Sequence, residues 1–184
     1  MRRSAFFTVA VLLACVSAPA SASDAAYLKV IGAASGAIQG SITQKGHEGE
    51  IKVLGFAHEI ASPRDAASGL PTGKRQHKPF TITKPVDKSS PLLMSALDTN
   101  ETLPNVRLKV FASGLGARSI AGGPASGVLQ NYYTIELVNA HIASISLDSS
   151  VPGEDRETVA FVYQKIIHTF ENGGITAELD IASP

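Results

Sequence analysis

Short segments in which apolar and polar residues alternate recur along most of the chain, and they constrain its fold more than any other feature. Val106, Leu108 and Val110, for example, alternate with charged residues. A period of two is the one that a half-buried β-strand requires. Turn residues bound these segments, as at the Asn-Gly-Gly of residues 172–174. The sequence therefore predicts a mainly β protein.

The predicted strands are spread over the whole chain after the N-terminal segment. They lie at residues 27–31, 37–42, 51–60, 80–84, 106–110, 133–145, 158–170 and from 175 onward. We predict that 158–170 is the longest strand, and a central one because part of it is apolar on both faces. Residues 62–72 and 113–127 have no period and are predicted loops. Together with one helix, these strands indicate a single-domain β-barrel or a β-sandwich of two sheets with one flanking α-helix.

The one predicted helix lies in residues 73–97, which read GKRQHKPFTITKPVDKSSPLLMSAL. In the strand before it, Phe80, Ile82 and the stem of Lys84 share one face. A serine before Pro91 predicts the helix start, with the serine hydroxyl as the cap. The apolar residues at helical spacing are Leu92, Leu93, Ala96 and Leu97. They predict a single stripe that packs on a sheet.

Composition limits the classes of protein that the chain can belong to. Its 184 residues suit one domain with a sizeable core. With 44% hydrophobic and 17% charged residues, it is not a disordered chain. The 16 basic residues are matched by 16 acidic ones, which argues against a nucleic-acid partner. No apolar run after residue 26 is long enough to span a bilayer.

The N-terminal segment departs from this globular pattern. Two arginines precede an apolar run at residues 5–16, and small residues follow at 18–22. This order predicts a secretory signal peptide over residues 1–22, with 23–184 as the mature domain of a secreted or periplasmic protein. The only cysteine, Cys15, lies in that segment, so the mature domain would have no thiol. A lipoprotein signal that ends at Cys15 is the alternative.

A basic cluster precedes the strand that leads to the helix. Its members are Lys74, Arg75, His77 and Lys78. A charged loop that protects a sheet edge is one interpretation. The other is an interface in which the loop meets acidic residues of a neighbouring subunit, such as Glu48 and Glu50 or residues 154–155. Nucleic-acid binding is disfavoured because no aromatic residues are interleaved with the cluster.

The sequence shows no constellation that indicates catalysis. The histidines are scattered along the chain at His47, His58, His77, His141 and His168. We interpret them as unrelated surface or half-buried side chains, and we predict neither a metal site nor a cofactor. Asp87 stands at the helix entry, where a capping or ion-pair role is expected. No G-x-S-x-G turn is present, so the chain is predicted not to be an enzyme.

Residues 73–97 resemble the central signature of the Hcp (haemolysin-coregulated protein) family, the tube subunit of type VI secretion. Residues 131–146 and 158–180 resemble the closing strands of that family. With a strand near 51–60, the similarity covers most of the chain after residue 26. The resemblance implies a β-barrel with a flanking helix, hexameric rings that stack into a hollow tube, and effector and spike proteins as partners. It also implies no enzymatic activity and no cofactor.

Two functions therefore stay open. The first is a ring-forming tube subunit or a secreted relative of it, with the basic cluster near the subunit or ring boundary. The second is a monomeric periplasmic or secreted binding or adhesion module that shares the fold, because a fold does not fix a function. The predicted signal peptide bears on this choice, since a tube subunit assembled in the cytoplasm would not need one.

Overall fold

The computed structural model describes residues 25–112, 130–150, 153 and 155–181. The predicted signal peptide at 1–22 and the predicted loop at 113–127 lie outside these residues. In chain order the elements are β1 (Ala25–Gly32), β2 (Gly36–Ile38), β3 (Ile51–Val53), β4 (Gly55–Ala57), β5 (Ile60–Ala61), β6 (Gln76–His77), β7 (Phe80–Pro85), α1 (Ser90–Asp98), β8 (Leu103–Ala112), β9 (Gln130–Asp148), β10 (Arg156–Val162), β11 (Lys165–Phe170) and β12 (Ile175–Asp180).

Strand β9 joins the two sheets. Its first part pairs with β8 on one side and with β11 on the other, and its last part pairs with β10. Between the two parts Asn139 has a φ of 50°, a left-handed conformation that asparagine tolerates better than most residues. The Asn139 side chain donates to that of Gln164 at 3.1 Å. The first sheet contains β1, β2, β3, β8, β9, β11 and β12, and the second contains β9, β10, β7 and β4.

The mainly β prediction is confirmed as a sandwich of two antiparallel sheets with one flanking helix. In the part of the chain that the structure describes, the path of paired strands runs from β2 through β1, β8, β9, β10 and β7 to β4 and ends there. The strands therefore do not close into a barrel. Helix α1 packs on β9. Of the described residues, no helix is long or apolar enough to cross a bilayer.

Two predicted strands are divided in the structure. Residues 158–170 form β10 and β11, which both lie along β9 but are separated at Tyr163 and Gln164, where β9 itself bends. The prediction that 158–170 is the longest strand is wrong, since β9 has 19 residues. Residues 51–60 form three short strands: β3 pairs with β1, while β4 pairs with β7 in the other sheet. The chain thus crosses between sheets at Leu54, a step that alternation alone does not encode.

The helix buries a narrower stripe than predicted. Leu93 and Ala96 are buried, and Leu97 packs at the edge of the core. Leu92 is 43% exposed, because one residue along a helix turns the side chain by about 100° away from the buried face of Leu93. The predicted serine cap is also wrong. Ser89 makes no capping hydrogen bond with its side chain.

Candidate assembly surface

Residues 59–78 form a two-stranded arm that is separate from both sheets. Its strands β5 and β6 pair only with each other among the described residues. At its base the amide of Lys78 donates to the carbonyl of Glu59 at 3.0 Å, and at its outer end Asp65 accepts from the amide of Ser68 at 2.7 Å. The hydrogen bonds from the amide and hydroxyl of Ser68 lower the pKa of Asp65. The arm therefore has hydrogen bonds of its own, from both backbone and side chains.

The structure places the whole basic cluster on the arm. Lys74, Arg75 and Lys78 are exposed, whereas His77 is half-buried. None of the three exposed cations forms a salt bridge with another described residue. The arm thus presents unpaired positive charge to solvent, as both interpretations of the cluster require.

A groove of about 800 Å³ separates the arm from the last two strands of the first sheet. Lys74, Arg75 and His77 line it from the arm. On the opposite side lie Lys165 and Glu178, whose side chains pair at 3.3 Å. Three of the four predicted interface residues therefore share one groove that has both basic and acidic walls.

The expected acidic partners differ in their availability. Glu50 is paired with His47 at 2.7 Å. Glu48 is exposed, and hydrogen bonds from its own amide and from that of Gly46 lower its pKa. Asp155 is exposed and accepts from the hydroxyl of Ser149 at 2.6 Å. Glu154 lies outside the described residues, so Glu48 and Asp155 are the carboxylates that remain exposed.

A cluster of rings, which we call the histidine clasp, lies where the arm meets the sandwich. The Nε2 atom of His58 is 2.6 Å from the hydroxyl of Tyr163, and the Nδ1 atom of His77 is 3.5 Å from the same hydroxyl. The ring of His168 stacks on that of His58, with 5.5 Å between centroids and 26° between planes. Three of the five histidines are thus in one cluster, and the interpretation of all five as unrelated is wrong.

The surroundings of the clasp favour the neutral forms of His58 and His168. Burial lowers the pKa of His58, and the neighbouring His168 and His77 lower it further. Burial also lowers the pKa of His168 and raises the pKa of Tyr163 to about 12. Among the described residues, no group of three or more histidine, cysteine or acidic side chains could hold a metal ion. The clasp is therefore a hydrogen-bonded ring cluster.

The remaining two histidines lie elsewhere. His47 stacks on Tyr27 with 4.1 Å between ring centroids. His141, on β9, lies 3.1 Å from the hydroxyl of Thr102 through Nε2. His47 thus packs on β1, and His141 contacts the segment before β8.

A second polar cluster, which we call the ionic network, lies at the start of α1. The Nζ atom of Lys84 contacts Oε1 of Glu157 at 2.5 Å, Oδ1 of Asp87 at 2.9 Å and Oγ of Ser90 at 3.2 Å. The side chains of Lys84 and Glu157 are fully buried. The predicted inward face of Lys84 and the predicted ion-pair role of Asp87 are both confirmed.

Asp87 connects the ionic network to two other segments. Burial raises its pKa, but hydrogen bonds from Ser89 and Lys84 outweigh burial, and the net effect is a lowered pKa. Its second carboxylate oxygen accepts from the amide of Ser41 at 3.0 Å. The network therefore ties the helix start to β7, to β10 and to the loop after β2.

The described part of the chain shows no catalytic constellation, but its similarity to a known family is clear. A family model described as "Type VI secretion system effector, Hcp" matches residues 27–170. The chain belongs to the Hcp family. The "Major exported protein" of Pseudomonas aeruginosa is 37% identical to it over 175 residues, which cover 86% of this chain and 96% of that protein. This relationship confirms the resemblance found at residues 73–97.

Solved structures of Hcp proteins share the fold. The secreted protein Hcp3 of Pseudomonas aeruginosa is 30% identical with a TM-score of 0.69, and the match covers 88% of this chain and all of that one. The Hcp1 protein of Escherichia coli EAEC 042 is 28% identical with a TM-score of 0.73, and the match covers 85% and 97% of the two chains. Hcp proteins are structural, secreted tube proteins, and the chain is not an enzyme.

Proposed function

We propose that this chain is the ring-forming subunit of a type VI secretion tube, or a secreted relative of that subunit. The observation that carries the proposal is the match to the Hcp family over residues 27–170, together with coverage of nearly the whole length of the Pseudomonas aeruginosa relative. The ring is most simply a hexamer. Effector proteins and a spike protein are its proposed partners.

A closed ring requires two different faces on each subunit, because head-to-tail contacts repeat by rotation. Two groups of exposed apolar side chains support such faces. Leu54 and Val86 line one surface groove together with Pro85 next to the open edge at β4. Leu92 and Met94 lie on the outer side of α1 and are 43% and 41% exposed. Apolar and backbone contacts of this kind would hold the ring.

The basic cluster supplies a second type of contact in this proposal. Lys74, Arg75 and Lys78 project from the arm, and with His77 they would lie near the subunit or ring boundary. Exposed carboxylates such as Glu48 and Asp155 are suitable partners on a neighbouring subunit. Exposed ion pairs contribute only about 0 to 1 kcal/mol each, so the cluster would tune assembly and not drive it.

We also propose that residues 1–22 are a signal peptide and that the mature domain starts near residue 23. The order of charged, apolar and small residues supports this, and the name of the Pseudomonas aeruginosa relative describes an exported protein. N-terminal sequencing of the exported material tests the cleavage site. Exported material that retains Met1 would contradict it.

Light scattering over a concentration series, at low and high salt, tests the ring. We expect one assembly with a mass that is a fixed multiple of the subunit mass. Leu54→Asp should reduce it, whereas Ile175→Asp, at a more exposed apolar position on β12, should leave it intact. A monomer at every concentration would instead support a monomeric periplasmic or secreted binding module.

A further inference from the structure

The base of the arm is attached to the sandwich through rings. His77 lies in β6, and His58 lies directly before the arm. Both meet Tyr163, which lies at the corner between β10 and β11. Farther out, the groove of about 800 Å³ separates the arm from β11 and β12. The clasp is therefore placed to determine whether the arm stays against the sandwich.

His168 extends the clasp into the first sheet. It stacks on His58, and its Nδ1 atom is 3.0 Å from the hydroxyl of Tyr133 on β9. Its directly opposite residues are Ile135 on β9 and Ala177 on β12, both without charge. The clasp thus brings together residues that are more than a hundred positions apart in sequence.

The groups that bond to the clasp imidazoles carry no negative charge. The titratable and charged groups near the clasp are Tyr133 on β9, Lys165 on β11, Glu178 and Asp180 on β12, and Glu59, Arg64, Lys74, Arg75 and Lys78 on the arm. Glu136 and Glu178 are both opposite Ile167, so alternation directs them to the sheet face away from His168. Within the described residues, the hydrogen-bond partners of the three imidazoles are tyrosine hydroxyls.

We propose that the histidine clasp holds the arm against the sandwich while His58 and His168 are neutral and releases the arm when they are protonated. A single hydroxyl carries one proton, so Tyr163 can donate to one of His58 and His77 and accept from the other. When His58 is protonated, both of its ring nitrogens are donors, so it can no longer accept from the Tyr163 hydroxyl. Protonated His58 and His168 would also repel each other across their stack.

The direction of the pH effect follows from the lowered pKa values of His58 and His168. In the released arm these imidazoles would return toward the ordinary pKa of about 6.5. The released state therefore binds more protons than the clasped state once the pH falls below about 6.5. The clasped state has its full stability above that pH and loses stability progressively below it.

Hydrogen exchange followed by mass spectrometry on the full chain tests the proposal. Peptides from residues 59–78 are compared at about pH 7.5 and about pH 5, after correction for intrinsic exchange. We expect the arm to lose protection at the lower pH, while β8 and the first part of β9 keep theirs. Equal protection of the arm at both pH values would overturn the proposal.

Variants assign the response to the clasp. His58→Gln with His168→Gln should make arm exchange independent of pH, because glutamine does not titrate in this range and can still bond to a hydroxyl. His141→Gln is the matched control, since His141 bonds to Thr102 and is not part of the clasp, and should retain the wild-type response. If the double variant does not fold, His168→Gln alone should weaken the response. A wild-type response in the folded double variant, or in the single variant that replaces it, would contradict the proposal.

Release of the arm also has a consequence for assembly, and this step rests on the proposed function. If the basic cluster lies at a ring boundary, acidification should loosen the assembly. Light scattering at each pH separates the two ideas. If the arm loses protection at low pH and the mass stays unchanged, the clasp proposal is supported and the effect on assembly is not. If the protein forms no ring at any pH, the exchange experiment still tests the clasp, because it is measured on the single subunit.

Discussion

Strands β7 and β10 pair with each other and carry a polar cluster at each end, and the two clusters are of opposite character. At one end Lys84 is opposite Glu157, in the ionic network. At the other end Phe80 is opposite Phe161, and Tyr163 of the histidine clasp lies two residues after Phe161. The first cluster buries full charges that compensate each other. The second contains half-buried rings, and burial lowers the pKa of two of them, His58 and His168.

The difference shows how one pair of strands can have one end held by an ion pair and another end that responds to pH. Buried opposite charges contribute little net stability, but removal of one leaves the other uncompensated, so the pair strongly disfavours any structure in which it is broken. Neutral imidazoles cost less to bury, and histidine is the side chain whose ordinary pKa lies nearest to neutral pH. The network therefore fixes the start of α1, while the clasp leaves the arm responsive to its surroundings.

The largest expected effect is at the ionic end. Lys84→Met should lower the free energy of unfolding by about 3 to 5 kcal/mol, because Glu157 would stay buried without its partner. Urea denaturation measures the loss. Lys165→Met, at an exposed pair, is the matched control and should cost no more than about 1 kcal/mol.

A second substitution shows whether the effect of Lys84→Met comes from the lost ion pair or from the changed side-chain volume. Combining Lys84→Met with Glu157→Leu removes both charges and should recover much of the stability that the single variant loses. If the double variant lost as much unfolding free energy as the two single variants lose together, Lys84 and Glu157 would not be coupled. The comparison between the two ends would then fail.

The packing of α1 also tests the ionic end, since this helix starts at the ionic network. Leu93→Ala should destabilise the protein by about 2 to 5 kcal/mol, because it leaves a cavity in a fully buried site. Leu92→Ala is the same chemical change at an exposed site of the same helix, and it should cost much less. Thermal melting of both variants checks this, and equal losses would mean that α1 is rotated from the position described.

The sequence predicted features that depend on local periodicity. Alternation found the strands and the shared inner face of Phe80, Ile82 and Lys84, and helical spacing found Leu93 and Ala96. Periodicity does not state which strand pairs with which, so the crossing between sheets at Leu54 was missed. Similarly, the resemblance at residues 73–97 identified the family, but it did not define the contacts of the arm.

The histidine clasp was missed for the same reason. His58, His77, Tyr163 and His168 have no common spacing, and only the corner between β10 and β11 and the pairing of β5 with β6 bring them together. The available sequence signal was weak: His58 and His77 flank a segment without period. A hairpin prediction for residues 59–78 would have placed those two side by side, though not Tyr163 or His168.

Acid should affect the two ends in different pH ranges. Stability that depends on neutral His58 and His168 should fall as the pH drops below about 6.5. The pKa of Asp87 is lowered, so its contribution is present above the ordinary aspartate value of about 3.9 and is lost only as the pH falls through the lower folded value. Urea midpoints across pH should show two separate declines. His58→Gln with His168→Gln should remove only the first, and loss of both declines in that variant would contradict the assignment.

Substitutions in the basic cluster, which lies on the arm, should have the smallest effect on the stability of the subunit. They should still reduce its assembly. Lys74→Glu with Arg75→Glu changes two exposed residues without a salt bridge to another described residue, so the unfolding free energy should change by no more than about 1 kcal/mol. Mass by light scattering should nevertheless fall, and the wild-type assembly should weaken with salt because exposed charges are screened.

Lys29→Glu with Lys52→Glu makes the same change in net charge at exposed sites on β1 and β3 and should leave the mass unchanged. An equal loss of mass in both double variants would mean that net charge, and not the position of the arm, controls assembly.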